Sequence, residues 1–177
     1  EYHTISAHKN SIRGLTYANP KAVNLTDTLF LSSGDDKFIN IWSLNNCNKQ
    51  KGNVKKGNIV AYKPKAQYMS KSILFNVDHS YEEPKFATAG SIVQVWDYER
   101  SDPVSKFDWG MDSVNTLKWN PSETNLILAA ASDRSICLYD IRGNTPLKRV
   151  FLKNKSSCLT WNPYEPINFV VGNEDSN

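Results

Sequence analysis

The sequence repeats at an interval of about 42 residues, and that period restricts the available folds more than any other feature. Trp119-Asn120-Pro121 returns 42 residues later as Trp161-Asn162-Pro163, and Trp96-Asp97 returns 43 residues later as Tyr139-Asp140. Trp42-Ser43 precedes Trp96-Asp97 by 54 residues, which places an insertion of about a dozen residues between them. A unit of this size cannot bury its apolar face alone, so copies must stack on one another.

Within a unit the order is constant. An apolar strand ends near Asn-Pro at Asn19-Pro20, Asn120-Pro121 and Asn162-Pro163. A second apolar strand follows, at Leu29–Ser33, Phe86–Ala89, Leu126–Ala131 and Ile167–Val171. After a polar turn comes a strand closing on an aromatic, with apolar residues one and three positions earlier: Ile39 and Ile41, Val93 and Val95, Ile136 and Leu138. A weaker fourth strand is predicted at Val104–Trp109 and Leu147–Leu152. These runs are short, rich in β-branched and aromatic residues, and bounded by Gly, Asn, Asp or Pro. No long stretch carries a 3.6-residue apolar period, so helices should be few. Four antiparallel strands per unit predict an all-β fold of β-propeller blades.

The strand ends Trp42-Ser43, Trp96-Asp97 and Tyr139-Asp140, with Asp36 and Asp133 six residues before Trp42 and Tyr139, resemble the WD-repeat family. The resemblance implies that His8, Ser32 or Ser33, Asp36 and Trp42 form that family's hydrogen-bonded chain, with Asp133 as the tight-turn aspartate of a later blade. The Trp96 blade departs from the pattern, with Gly90 in the aspartate's place. The predicted organisation is one partial propeller over 1–177: 1–7 closing a preceding blade, 8–71 a blade with an insertion at about 45–71, then 72–110, 111–153 and an incomplete 154–177. The register thus predicts three to four blades, about half of a ring that in this family usually has seven.

Several segments resemble one branch, the Sof-type nucleolar WD-repeat proteins. They are Gly34-Asp35-Asp36-Lys37, Phe86–Gly90, Trp109–Ser113, Ala131–Arg134, Thr145–Lys148 and Gly172–Asp175. The resemblance implies a non-catalytic scaffold in nucleus and nucleolus, within the small-subunit processome that folds and cleaves precursor ribosomal RNA. Its implied partners are other processome proteins, pre-rRNA or small nucleolar RNA. Animal relatives are described as receptors for a cullin-type ubiquitin ligase, which implies an alternative function and a ligase adaptor as partner.

Composition narrows the classes further. The 177 residues are 40% hydrophobic and 22% charged, enough for a packed core. No apolar run approaches the ~18 residues of a membrane span, and no signal peptide is visible at Glu1-Tyr2-His3-Thr4. Cys47, Cys137 and Cys158 are widely spaced and odd in number, which fits reduced thiols better than a disulfide framework or zinc site. His3, His8 and His79 lack ligand spacing, and neither a P-loop nor a Gly-x-Ser-x-Gly elbow occurs. Neither enzyme chemistry, a cofactor nor a small-molecule substrate is therefore expected.

Charge is uneven beneath a net +3. No acidic residue lies between Asp36 and Asp78, a gap holding Lys49, Lys51, Lys55, Lys56, Lys63, Lys65 and Lys71. Without those seven, 14 basic residues face 18 acidic ones. A basic loop interleaved with Tyr62 and Tyr68 suits RNA, lysines meeting phosphates and rings stacking on bases. A solvated loop is the alternative reading. Asp140 and Arg142, in Tyr139-Asp140-Ile141-Arg142, match the Asp-x-Arg box with which some WD proteins dock on ligase adaptors; a solvated arginine is again the alternative.

Overall fold

In a computed structural model the described residues are 5–23, 27–45, 63–108, 110, 112–143 and 145–174. They form three four-stranded antiparallel sheets and one two-stranded sheet, each wound in simple sequence order. The first contains β1 (Ile12–Tyr17), β2 (Leu29–Gly34), β3 (Phe38–Ser43) and β4 (Ala66–Met69). The second contains β5 (Asn76–His79), β6 (Lys85–Ala89), β7 (Val93–Asp97) and β8 (Ser105–Phe107). The third contains β9 (Val114–Trp119), β10 (Leu126–Ala131), β11 (Ser135–Asp140) and β12 (Pro146–Phe151). β13 (Ser156–Trp161) and β14 (Phe169–Asn173) make the last sheet. A single helical turn, α1 (Pro20–Val23), joins β1 to β2. The arrangement is a partial WD-type β-propeller.

Each sheet is too thin to bury both faces, so the cores lie between sheets. One core packs Leu31, Ile39, Ile41 and Tyr68 of the first sheet against Val77, Phe86 and Trp96 of the second. Another packs Val93, Val95 and Phe107 against Leu117, Ile127, Cys137 and Tyr139 of the third. Leu128, Ala130 and Ile136 continue onto Leu159 and Trp161. The apolar pairs spaced two apart in β3, β7 and β11 are these core residues, because alternate strand residues share a face.

The recurring Asn-Pro has a local cause. Asn19 Oδ1 accepts the Lys21 N–H (3.0 Å), Asn120 Oδ1 those of Ser122 (2.9 Å) and Glu123 (2.8 Å), and Asn162 Oδ1 that of Tyr164 (3.0 Å). Each asparagine turns the chain out of the first strand. The second sheet uses Asp78-His79-Ser80 at this point instead, so the Asn-Pro marker does not reveal β5. β4 is also unmarked in the sequence; it is found by its pairing with β3, Ile39 opposite Tyr68. The predicted fourth strand at Val104–Trp109 shortens to Ser105–Phe107, and Trp109 lies outside the described residues. The strand expected at Ile167–Val171 runs two residues later, as Phe169–Asn173, because Asn162 N–H first bonds Asn168 O and Asn168 N–H bonds Glu165 O.

Candidate functional site

His8, Ser32, Asp36 and Trp42 are joined in one line of hydrogen bonds. The His8 ring is fully buried, with Nδ1 2.8 Å from Asp36 Oδ1 and Nε2 2.7 Å from Ser32 Oγ. Trp42 Nε1–H donates to Ser32 Oγ at 2.9 Å. A carboxylate only accepts, so Nδ1 carries its proton toward Asp36 and Nε2 accepts from the Ser32 hydroxyl. Asp36 also receives the N–H groups of Lys9 (3.0 Å) and Phe38 (3.2 Å). Burial pushes the Asp36 carboxyl up, but these bonds and that from His8 outweigh it and hold it below the usual carboxylate range. The line ties the segment before β1 to the β2–β3 hairpin. The Ser32 hydroxyl is buried between the His8 ring and the Trp42 indole, closed off from any substrate.

Ser33, the alternative to Ser32 in the sequence, is not in this line. Neighbouring strand residues point to opposite faces, and Ser33 Oγ is turned toward Gly14, buried and without a hydrogen-bond partner among the described residues. Asp133 also differs from Asp36. It accepts from Ser135 N–H (2.9 Å) and Oγ (2.5 Å) and pairs with Arg149. The residue four before Val114, as His8 is four before Ile12, is Gly110, so Asp133 has no histidine to hold. Both aspartates do build the same turn: each is followed by a residue in the left-handed region, Lys37 at φ 70° and Arg134 at φ 68°. The second sheet keeps one link, Trp96 Nε1–H to Thr88 Oγ1 at 3.0 Å. Its turn is shorter, with Ala89 pairing directly with Val93.

The basic segment is described only in part. Lys63, Lys65 and Lys71 are exposed, whereas Lys49, Lys51, Lys55 and Lys56, with Tyr62, lie outside the described residues. Tyr68 is unavailable for stacking on bases. It is buried in the core at edge-on contact with Phe86 and Trp96, and its hydroxyl donates to Tyr98 O at 2.9 Å.

Asp140 and Arg142 meet where β11 leaves its sheet. The Arg142 guanidinium bonds Asp140 through Nε at 2.9 Å and a terminal nitrogen at 2.6 Å, and its N–H bonds the same carboxylate. The guanidinium hydrogen bond holds Asp140 below the usual carboxylate range. The Arg142 side chain stays 70% exposed, so the fork is presented to solvent. In the second sheet Asp97 likewise accepts the N–H two residues on, but that residue is Glu99, not an arginine.

Sequence reasoning missed the group that joins three sheets. Asp78 on β5 is almost fully buried, 2.8 Å from Lys118 Nζ and 2.8 Å from the Trp119 N–H on β9, with Thr16 of β1 at 3.5 Å. Burial raises its carboxyl, and Lys118 opposes that rise. The only sequence signal was the polar Asp78-His79-Ser80 in the position other units fill with Asn-Pro. Among the described residues, no three His, Cys, Asp or Glu gather as a metal site, and no helix is long and apolar enough to cross a membrane.

The family model for the WD domain, G-beta repeat, matches residues 1–43 and 102–140. The chain is 37% identical over 174 residues to Protein sof1 of Schizosaccharomyces pombe, covering 98% of this chain and 35% of that protein. It is 33% identical to Protein SOF1 of Saccharomyces cerevisiae, covering 100% of this chain and 38% of that protein. It is 36% identical to DDB1- and CUL4-associated factor 13 of Danio rerio, covering 98% of this chain and 36% of that protein. The chain therefore spans little more than a third of the length of these relatives.

Proposed function

From a chain that belongs to the WD-repeat family and matches its Sof-type members, we propose a non-enzymatic scaffold of ribosome biogenesis, acting in the nucleolus. On this reading its blades form part of a larger ring in the small-subunit processome, where it holds processome proteins and pre-rRNA during 18S rRNA maturation. The observation that carries the proposal is the likeness to Sof1 proteins over nearly the whole chain. The buried His8–Asp36 line supports it by bracing the segment before β1 against the β2–β3 hairpin, as an element of rigidity. A rigid ring binds through its rims and loops with little rearrangement. The test is affinity purification of the tagged full-length protein. Small-subunit precursor RNA and its assembly proteins should co-purify, and their absence would refute the reading. Within it, Lys49, Lys51, Lys55, Lys56, Lys63, Lys65 and Lys71 contact RNA. Neutralising them should lower affinity and flatten its salt dependence; an unchanged slope removes that role.

A second reading is favoured by one feature, the exposed Asp140–Arg142 fork. It makes the protein a receptor of a cullin-type ubiquitin ligase, as the name of the Danio rerio relative suggests for that protein. Arg142→Ala should abolish capture of the adaptor DDB1 while pre-ribosome association persists. If the unaltered protein captures no adaptor, this reading fails.

A further inference from the structure

The outer strand β12 differs from its counterparts in length, charge and surface. β4 has four residues and β8 three, whereas β12 has six. Exposed sheet edges invite pairing with other chains, and short edge strands limit it. β12 ends its sheet, with β11 on one side only. The Leu152 N–H bonds Arg134 O across the β11–β12 pair. Alternation along an antiparallel strand then turns the N–H and C=O of Arg149 and Phe151 toward the open side.

The side chains along this edge are cationic and apolar. From Ile141 to Tyr164 the sequence has no acidic residue and carries Arg142, Lys148, Arg149, Lys153 and Lys155. Arg149 is engaged by Asp133, and its guanidinium lies 4.8 Å from the centre of the Phe151 ring. Among the described residues, Arg134, Lys148 and Lys153 form no ion pair. Leu147 and Phe151 are 58% and 66% exposed. Phe151 remains so although its cross-strand neighbour Ser135 precedes Cys137 and Tyr139, which are packed against the second sheet.

We propose that β12 is a docking edge for an extended acidic segment of a partner protein, which adds to the third sheet as a fifth strand. The open N–H and C=O groups of Arg149 and Phe151 supply the ladder. Side chains of an added strand alternate, so apolar ones cover Leu147 and Phe151 while carboxylates on the other face reach Lys148; Lys153 and Arg134, just beyond the end of β12 and in the turn before β11, meet the acidic side chains at that end of the segment. Single-stranded RNA would use the cations and the Phe151 ring but leave the outward C=O groups facing phosphates. The partner is thus identified by charge and by backbone pairing together.

The test titrates a labelled eight-residue peptide of alternating Glu and Val into the full-length protein. Binding should weaken at least tenfold for Lys148→Glu/Lys153→Glu, and equally for a peptide N-methylated at alternate positions. Amide exchange at Arg149 and Phe151 should slow on binding. The N-methylated arm uses unaltered protein and does not depend on how the variant folds. No binding, or equal binding of the N-methylated peptide, overturns the proposal. A uridine oligonucleotide that displaces the peptide and shows the same sensitivity to charge reversal makes the edge a nucleic-acid surface and overturns it as well. Pre-ribosome co-purification is read separately, so failure here leaves the scaffold reading intact.

Discussion

Replacing His8 with alanine removes its two short hydrogen bonds at once, together with a longer one from Asn40 Nδ2 at 3.4 Å. The bond to Asp36 is charge-assisted and contributes about 1.5–3 kcal/mol, and that to Ser32 about 1 kcal/mol. Neither partner is orphaned. Asp36 keeps the Lys9 and Phe38 N–H groups, and Ser32 keeps the Trp42 indole. The expected loss is therefore about 3 kcal/mol, below the figure for a stranded buried charge. With a urea dependence of about 2 kcal/mol per molar, the midpoint of the full-length protein should fall by about 1.5 M at unchanged slope. Thr88→Val breaks the single bond to Trp96 and strands its buried indole N–H, and should lose about 1–3 kcal/mol. A double-mutant cycle should show that His8→Ala and Asp36→Ala are coupled. A His8→Ala loss below about 0.5 kcal/mol, or strict additivity in the cycle, would refute the reasoning.

Asp36 is held below its usual pKa, so its contribution is full above the unfolded value near 3.9 and fades as pH falls through the lower folded value. The stability gap between the unaltered protein and Asp36→Asn should then narrow below about pH 4; a constant gap in urea midpoints contradicts this. Asp78 has the opposite sign, its carboxyl being raised by burial. Lys118→Ala should cost about 3–5 kcal/mol at pH 7 by stranding that carboxylate, and the deficit should shrink on acidification as Asp78 takes up a proton. A pH-independent deficit would mean that Lys118 acts through packing alone. A methyl group at Gly14 would stand 2.6 Å from Ser33 Oγ and 2.7 Å from the Val77 backbone nitrogen. Gly14→Ala should therefore destabilise by about 1–3 kcal/mol in a urea melt, and a neutral result would deny the close approach of β1 to β5.

The repeat was legible because each unit reuses the same local devices. An Asx turn closes the first strand, alternating apolar pairs fill the third, and an aspartate sets the β2–β3 and β10–β11 turns. Where a unit replaced the device, the reading failed. β5 went unmarked because Asp78-His79-Ser80 stands where Asn-Pro is expected. The polar sequence neighbours of Tyr68 place it with a basic loop, yet pairing with β3 carries its ring into the core. Ser32 and Ser33 were inseparable in the sequence, since either satisfies the family pattern.

The sequence by itself determined the repeat length, the order of the strands its motifs mark, and the alternating apolar pairs of β3, β7 and β11 that face the cores. These follow from periodicity, which acts between near neighbours. Tertiary structure alone decided which serine joins His8, that Asp133 pairs with Arg149, and that Asp78 links β1, β5 and β9. Those depend on strand register and on the distance between sheets. A one-residue slip in register would exchange Ser32 for Ser33 and leave the composition unchanged.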